Sequence, residues 1–256
     1  MAEIDVKIIP ALSDNYIYLL RERSSGAVAV IDPGDDEPVK AALNRLGWRL
    51  THIVITHHHA DHTAGNLSLK TAYQCPIVGP AAEAARIPGL DEQVAEGDTY
   101  KIGNAEAKVI DTPGHTLGHI SFWFEESSDL FCGDSLFVMG CGRLFEGTPE
   151  QQWSSLRKLR ALPNETRAYC GHEYTQANAR FALSVDPDNE ALQERARTID
   201  ELRSGGKPTV PTTIGEEKAT NPFLRCDDKK FLKAAGLTGK KPVEAFAEVR
   251  RRKDNF

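Results

Sequence analysis

Four apolar segments in the first 172 residues each end at a histidine or an aspartate. They are residues 53–56 before His57, 108–111 before His115, 130–132 before Asp134 and 167–170 before His172. Short apolar runs that stop at polar residues predict buried β-strands. Side chains just past a strand end lie on loops that a rigid sheet holds in place. The sequence therefore predicts a sheet protein whose strand ends gather imidazole and carboxylate groups.

The hydrophobic pattern divides the chain in two. Strand-like runs at 6–10, 15–20 and 27–31 precede a helix predicted at 38–47. After His172 the spacing is helical, with helices predicted within 186–204, 227–235 and 242–253 and an extended crossing at 207–213. We therefore predict a mixed α/β (α+β) domain over residues 1–172 and a smaller, mostly helical domain over residues 173–256.

Composition excludes several classes of protein. The net charge of −6 argues against non-specific nucleic-acid binding, which needs a basic surface. No apolar run approaches 18 residues, and residues 1–7 carry charge where a secretory signal needs an apolar segment. The five cysteines are odd in number and form no C-x-x-C motif, as in a protein with reduced thiols. We expect a cytoplasmic protein with no membrane or nucleic-acid partner.

Four of the eight histidines lie within residues 57–62, in the pattern H-x-H-x-D-H. Imidazole and carboxylate are ligands for divalent metals such as Zn, Fe and Mn. Alternation along an extended segment points His57 and His59 the same way, whereas Asp61 and His62 follow a turn and can serve a second ion. With the donors from the other strand ends, the predicted ligand sets are His57, His59 and His115 for one ion, Asp61, His62 and His172 for the other, and Asp134 as the bridge. Each ion keeps a position for a shared water, which is a hydroxide nucleophile at neutral pH.

The other histidines and two aspartates near these strand ends are predicted to be structural residues or to orient ligands, not to bind metal themselves. His58 is a packing residue or a residue that orients a ligand, and His52 and His119 are structural. Asp32 and Asp111 either orient ligands or cap strand-end turns.

These motifs resemble those of a known superfamily. The pattern T-H-x-H-x-D-H at 56–62, the segment T-P-G-H-T-L-G-H at 112–119, Gly133-Asp134 and Gly171-His172 are similar to the metallo-β-lactamase superfamily. The resemblance implies an αββα sandwich with the metals at one edge of the sheets. Further stretches at 130–137, 140–147, 171–175, 208–213, 221–225 and 249–256 resemble the glyoxalase II family, the hydroxyacylglutathione hydrolases. The resemblance thus covers the helical C-terminal domain as well. It implies a metallo-β-lactamase-like catalytic domain over residues 1–172 and a substrate-binding domain over residues 173–256.

The family resemblance implies hydrolysis of the thioester of S-(2-hydroxyacyl)glutathione, typically S-D-lactoylglutathione, to D-lactate and glutathione, the second step of methylglyoxal detoxification. It implies a metal-bridging hydroxide as nucleophile, two divalent ions (zinc first, with iron or manganese as alternatives) and Asp61 as ligand and water-orienting residue. It also carries substrate contacts onto Arg143, Phe145, Tyr174, Arg250 and Lys253. The positively charged members suit the two carboxylates of glutathione. Alternatively, the cations near residue 250 only complement the dipole of a helix C-terminus.

Other activities occur on the same type of fold. A phosphodiesterase acting on RNA predicts a basic surface, which this composition lacks. A β-lactamase predicts an export signal. A persulfide dioxygenase uses one Fe(II) held by two His and one Asp, whereas His59, Asp61 and His62 complete a second site here. A metal-storage protein is disfavoured because the predicted sites keep an open water position. The acylglutathione hydrolase is the preferred interpretation.

Overall fold

The computed structural model describes residues 3–256, so Met1 and Ala2 of the N-terminal stretch used above lie outside it. The described residues form two compact units. The first runs to Asp111 and includes Gly118–Gly133, and the second comprises Thr112–Leu117 and Asp134–Phe256. The domain boundary predicted after His172 falls inside the second unit and stays a prediction.

The first unit contains the strands and helices up to residue 133. Its strands are β1 (Ile4–Ala11), β2 (Asn15–Glu22), β3 (Val28–Ile31), β4 (His52–Val54), β5 (Ile77–Pro80), β6 (Glu92–Val94), β7 (Thr99–Ile102), β8 (Ala105–Asp111), β9 (Ile120–Phe124) and β10 (Asp129–Gly133). Its helices are α1 (Asp36–Leu46), α2 (Ala60–Thr63), α3 (Asn66–Tyr73) and a 3-10 helix (Ala81–Arg86). The predicted early strands and the helix at 38–47 are confirmed.

One sheet of this unit has the strand order β1-β2-β3-β4-β5-β6, with parallel pairing from β3 onward. The α1 and α3 side chains Val39, Leu43 and Leu69 are buried against its apolar face, since an amphipathic helix must cover its apolar stripe. Parallel strands end at the same sheet edge, and Ile31 pairs with Val54. The polar residues that follow β3 and β4 therefore meet at that edge.

The strands β7, β8, β9 and β10 of this unit pair antiparallel in a second layer. The Tyr18 ring on β2 contacts the Phe131 ring on β10 edge-on, with the centroids 5.5 Å apart, so the two layers share an aromatic core. At the edge that carries the histidines, the Ile120 amide donates to the Thr56 carbonyl at 3.0 Å.

The second unit contains the remaining elements. Its strands are β11 (Leu136–Phe137), β12 (Gly140–Cys141), β13 (Arg167–Cys170) and β14 (Thr212–Thr213). Its helices are α4 (Pro149–Arg160), α5 (Thr175–Val185), α6 (Glu190–Ser204), α7 (Ile214–Thr220), a 3-10 helix (Pro222–Leu224), α8 (Lys229–Ala234) and α9 (Pro242–Asp254). The helices predicted within 186–204, 227–235 and 242–253 are confirmed, and the predicted extended segment ends in β14.

The helices of the second unit pack around a group of aromatic rings that contact one another. The Phe223 ring lies 6.0 Å from that of Phe181 and 5.9 Å from that of Phe246, and all three side chains are fully buried. Each such ring contributes a large apolar area to the core. Over residues 3–256, no helix combines the length and apolar character needed to cross a bilayer.

Candidate metal centre

The segment after β4 turns into the short helix α2, which carries part of the predicted ligand motif. The α2 helix begins directly after His59, and Asp61 lies in its first turn. A Cβ on Gly34 would lie 1.8 Å from the Asp61 carbonyl oxygen. Only glycine therefore allows the turn after β3 to lie this close to the Asp61 backbone. Asn15 donates from its amide to the Asp61 carbonyl at 3.2 Å and to the carboxylate Oδ2 at 3.0 Å. Asn15 therefore fixes the predicted catalytic carboxylate.

Ligand atoms face one another across this segment. The distance from His57 Nε2 to His59 Nδ1 is 3.1 Å, and that from His62 Nε2 to Asp61 Oδ2 is 3.5 Å. Ligands at about 2.0–2.1 Å from one tetrahedral ion lie about 3.3 Å apart. The spacing of both pairs is that of neighbouring ligands of a metal ion.

Asp32, directly after β3, orients two of these histidines. Its carboxylate accepts hydrogen bonds from the Thr56 amide at 2.8 Å and the Thr56 hydroxyl at 2.7 Å. That hydroxyl in turn accepts from His57 Nδ1 at 3.0 Å, and Asp32 Oδ2 accepts from His62 Nδ1 at 3.2 Å. With each Nδ1 carrying the proton, the Nε2 lone pairs of both imidazoles point toward the predicted metals. Of the two roles left open by the sequence, the structure favours ligand orientation.

The histidines predicted to be non-ligands have other surroundings. His58 donates from its backbone amide and from Nδ1 to the buried Glu83 carboxylate, both at 2.7 Å. His119 is fully buried and stacks on His57, with the centroids 4.9 Å apart. His52 lies on β4, where Nδ1 is 2.7 Å from the Thr51 hydroxyl. These contacts agree with structural or orienting roles.

The second unit gathers the other three predicted ligands around Asp134. Asp134 Oδ2 lies 3.2 Å from His115 Nε2 and 3.3 Å from His172 Nε2, and all three side chains are buried. His115 Nδ1 donates to the Arg143 carbonyl oxygen at 2.9 Å, which leaves Nε2 as its ligand atom. A Cβ on Gly142 would lie 2.1 Å from the Asp134 carbonyl oxygen, so glycine is required for this close packing. A carboxylate oxygen between two imidazole nitrogens is the arrangement expected of a shared ligand.

Both donor groups fit a divalent transition metal. They consist of neutral imidazole nitrogens and carboxylate oxygens, the donor set that Zn, Fe and Mn accept. Within the two units, such donors face one another in the pairs His57–His59 and Asp61–His62 and around Asp134. Divalent metal binding is therefore a property of this site.

Two predicted substrate residues lie beside ligands of the second unit. The Tyr174 ring stacks on the His172 ring at 4.8 Å and is partly exposed. The Phe145 ring lies 5.1 Å from that of His115 and is 64% exposed. Aromatic side chains in such positions offer an apolar surface to a bound molecule.

The three predicted cations lie in one cluster of the second unit. Arg250 is buried and donates to the Cys141 carbonyl at 3.0 Å and to the Asp254 carboxylate at 2.7 Å. Arg143 approaches the same carboxylate at 3.9 Å and is largely exposed. Arg250 therefore supports the cluster from within, whereas Arg143 is accessible.

Lys253 of this cluster has an altered proton affinity. Burial is the main cause that lowers the pKa of Lys253 from 10.5 to about 8. The positive charges of Arg250, Arg180 and Arg143 also disfavour its protonated form. Arg180 on α5 was not predicted, because a single arginine on an amphipathic helix has no sequence signal that separates it from solvated surface charge. The cluster offers positive potential for an anionic ligand.

The cysteines are buried free thiols rather than nucleophiles. Burial raises the pKa of Cys141 to about 11 and that of Cys170 to about 12. A thiol with such a pKa is protonated at neutral pH and unreactive. Cys141, the thiol nearest the predicted substrate residues, is therefore not the attacking group.

Comparison with known proteins shows to which superfamily the fold belongs. Residues 12–172 match the family model of the metallo-beta-lactamase superfamily. The structure is similar to the crystal structure of ETHE1 from Myxococcus xanthus, with a TM-score of 0.71 and 28% identity over 96% of this chain and 90% of that one. It is also similar to TTHA1623 in a di-iron-bound form, with a TM-score of 0.59 and 27% identity over 82% and 94% of the two chains. The predicted metallo-β-lactamase fold with a C-terminal helical region is confirmed.

The C-terminal region shows which family within this superfamily the chain resembles. Residues 173–256 match the family model of the hydroxyacylglutathione hydrolase C-terminus. A hydroxyacylglutathione hydrolase from Rhodospirillum rubrum is 59% identical over 256 residues, which is 100% of both chains. The chain belongs to the hydroxyacylglutathione hydrolase family, as its motifs predicted, rather than to the dioxygenase or phosphodiesterase alternatives.

Proposed function

We propose that this chain hydrolyses the thioester bond of S-(2-hydroxyacyl)glutathione, typically S-D-lactoylglutathione, to D-lactate and glutathione. The observation that carries this proposal is the family relationship over the full chain, which includes the C-terminal region. The facing imidazole and carboxylate donors of each unit support it, because they have the chemistry of a metallohydrolase. The reaction is the second step of methylglyoxal detoxification.

The proposed ligands combine the donors of both units. One ion would be held by His57, His59 and His115, the second by Asp61, His62 and His172, and Asp134 would bridge them. When bound, such ions supply Lewis-acid activation of the thioester carbonyl and lower the pKa of a water molecule so that it attacks at neutral pH. Support comes from the 3.1–3.5 Å spacing of ligand atoms within each unit.

The other proposed roles belong to the side chains around these ligands. Asp61, held by Asn15, orients the attacking water. The exposed Arg143 and the charged form of Lys253 attract the carboxylates of glutathione. Phe145 contacts the apolar parts of the substrate, and Tyr174 contacts the substrate through its ring and its hydroxyl. The thiolate of glutathione leaves readily, so the reaction needs no strong general acid.

We propose zinc as the usual metal, with iron or manganese accepted where they are more available, because the donors suit all three. We also propose a monomer that works in the cytoplasm. Five free, buried thiols are in keeping with a reducing compartment.

The test is hydrolysis of S-D-lactoylglutathione by the purified chain, followed by the loss of thioester absorbance, with metal content measured on the same sample. We expect rapid turnover with close to two metals per chain. Asp134→Ala and His57→Gln should lose metal and nearly all activity, whereas His52→Gln, a matched control on β4, should retain both. Full activity of Asp134→Ala would refute the binuclear site. Two bound metals without turnover would refute the thioester substrate and direct the assay to other esters.

A further inference from the structure

The hairpin Leu136–Cys141, formed by β11 and β12, connects two parts of the candidate metal centre. It begins two residues after Asp134 and ends two residues before Arg143, whose carbonyl oxygen holds His115. The Gly142 amide also donates to the Ser135 carbonyl at 3.4 Å, which closes the base of the hairpin. A displacement of this hairpin would therefore move both the predicted bridging carboxylate and the support of a predicted ligand.

Each strand of the hairpin has only two residues, and a two-stranded hairpin is marginally stable even when longer. Five buried polar side chains bind the backbone from residue 137 to residue 142. Four of them lie on α4, α5, α7 and α9, and the fifth, Asn221, lies between α7 and the 3-10 helix Pro222–Leu224. Asn221 Nδ2 donates to the carbonyls of Phe137 and Gly140, and Asn178 Nδ2 donates to that of Val138. Glu217 Oε2 accepts from the Met139 amide. Arg250 donates to the Cys141 carbonyl, and Gln152 Nε2 donates to that of Gly142. The hairpin is thus held by the helices rather than by its own pairing.

Asn221 has the central place among these contacts. Its amide donates to the Gly140 carbonyl at 2.9 Å and to the Phe137 carbonyl at 3.3 Å, so one side chain binds both strands. The two N–H groups of this amide are shared with a third acceptor, Glu217 Oε2 at 2.9 Å, and that oxygen also accepts from the Met139 amide at 2.8 Å. Asn221 and Glu217 are both fully buried.

A buried amide without partners carries a large free-energy cost, so a side chain with this many partners is strongly constrained in position. Asn221 also accepts from the Phe223 amide at 2.9 Å, which fixes it at the start of the 3-10 helix Pro222–Leu224. Its position is therefore set by the helical part of the unit and transmitted to the hairpin.

We propose that Asn221 is a positioning residue for the hydrolytic reaction: it locks the Leu136–Cys141 hairpin and thereby sets the Asp134 carboxylate and the His115 imidazole for metal binding. The proposal rests on the proposed metal-dependent hydrolysis. It gives the C-terminal helical elements a second task besides substrate binding, namely to keep the metal ligands in place.

The experiment compares Asn221→Ala with the wild type and with Asn189→Ala. Asn189 is a matched control, because its amide also donates to a backbone carbonyl, that of Ala219, but not to the hairpin. Metal release to a chelator is followed in each metal-loaded protein well below its Tm, and kcat and KM are measured separately. We expect Asn221→Ala to release metal about 10- to 100-fold faster and to lose kcat by a similar factor, with a wild-type circular dichroism spectrum.

A purely structural role would lower the Tm of Asn221→Ala and leave metal release and kcat at the Asn189→Ala values, and that result would overturn the proposal. If Asn221→Ala does not fold, Asn221→Leu takes its place, because it keeps a branched side chain of similar shape and removes the same donors to the hairpin. Faster metal release in Asn221→Leu than in Asn189→Ala supports the proposal, and release at the Asn189→Ala rate refutes it. The release assay needs no substrate, so it stays decisive even if S-D-lactoylglutathione proves inactive.

Discussion

The phenol ring of Tyr174 lies parallel to the imidazole ring of His172, with the two planes 2° apart and the centroids separated by 4.8 Å. His172 in turn faces Asp134 through Nε2 at 3.3 Å. A predicted substrate residue thus rests directly on a predicted metal ligand, which couples ligand orientation to the surface that the substrate meets.

Two substitutions distinguish the role of the Tyr174 hydroxyl from that of its ring, which stacks on His172. Tyr174→Phe keeps the ring but removes the hydroxyl, and we expect KM to rise about five-fold with kcat little changed, as for the loss of one hydrogen bond of about 1 kcal/mol. Tyr174→Ala also removes the stacking and should weaken metal retention. Steady-state kinetics and metal analysis check both variants. A wild-type KM for Tyr174→Phe would mean that the hydroxyl does not contact the substrate.

The Thr56 hydroxyl links Asp32 to His57, and its removal should weaken metal binding. We expect Thr56→Val to reduce metal affinity about 10- to 100-fold, because His57 loses the acceptor that holds the proton on Nδ1. Thr51→Val is the matched control, since the Thr51 hydroxyl contacts His52, which is not a predicted ligand. Chelator titration gives the affinities. Equal affinities for the two variants would contradict the orienting role of Asp32 and Thr56.

The low pKa of Lys253 predicts a pH-dependent KM. Below its pKa of about 8 the amine is protonated and attracts the carboxylates of glutathione, and above that pH it becomes neutral. We therefore expect KM to rise as the pH increases through about 8, with a smaller change in kcat. Lys253→Arg keeps its charge at all these pH values and should flatten the profile. An unchanged profile in Lys253→Arg would assign the pH dependence to another group.

The buried thiols predict resistance to alkylation. Burial raises the pKa of Cys75 and Cys141 to about 11, so neither is a thiolate at neutral pH. We expect iodoacetamide at pH 7.5 to leave the activity of the native protein intact and to modify all five cysteines after unfolding in guanidinium. Cys141→Ala should keep kcat within a few-fold of the wild type. Rapid inactivation by iodoacetamide would reopen the question of a cysteine in catalysis.

Much of the fold was predictable because its signals are local. The apolar runs at 27–31 and 53–56 mark strands without reference to distant residues. The short helix α7 was missed because it directly follows β14 and is only seven residues long. Its capping box, formed by Thr213 and Glu216, was the available signal.

The candidate ligands were predictable for a similar reason. H-x-H-x-D-H is a dense local pattern, and His115, Asp134 and His172 each follow an apolar run. Asn15 and Glu83 could not be recognised in this way, because an isolated amide or carboxylate has no local pattern. Their roles depend on partners that only the folded chain supplies, Asp61 for Asn15 and His58 for Glu83.

The sequence by itself determined which side chains are candidate ligands, since strand alternation and motif spacing act over a few residues. Only the tertiary structure decided which ring nitrogen of His57, His62 and His115 faces the neighbouring candidate ligands and what holds each ring there. Asp32 reaches Thr56 across 24 residues, and Asn221 reaches Gly140 across 81. Hydrogen bonds of this kind require donor and acceptor atoms from segments far apart in the chain to be placed to within a few tenths of an ångström. Only the packing of the folded chain places them so closely.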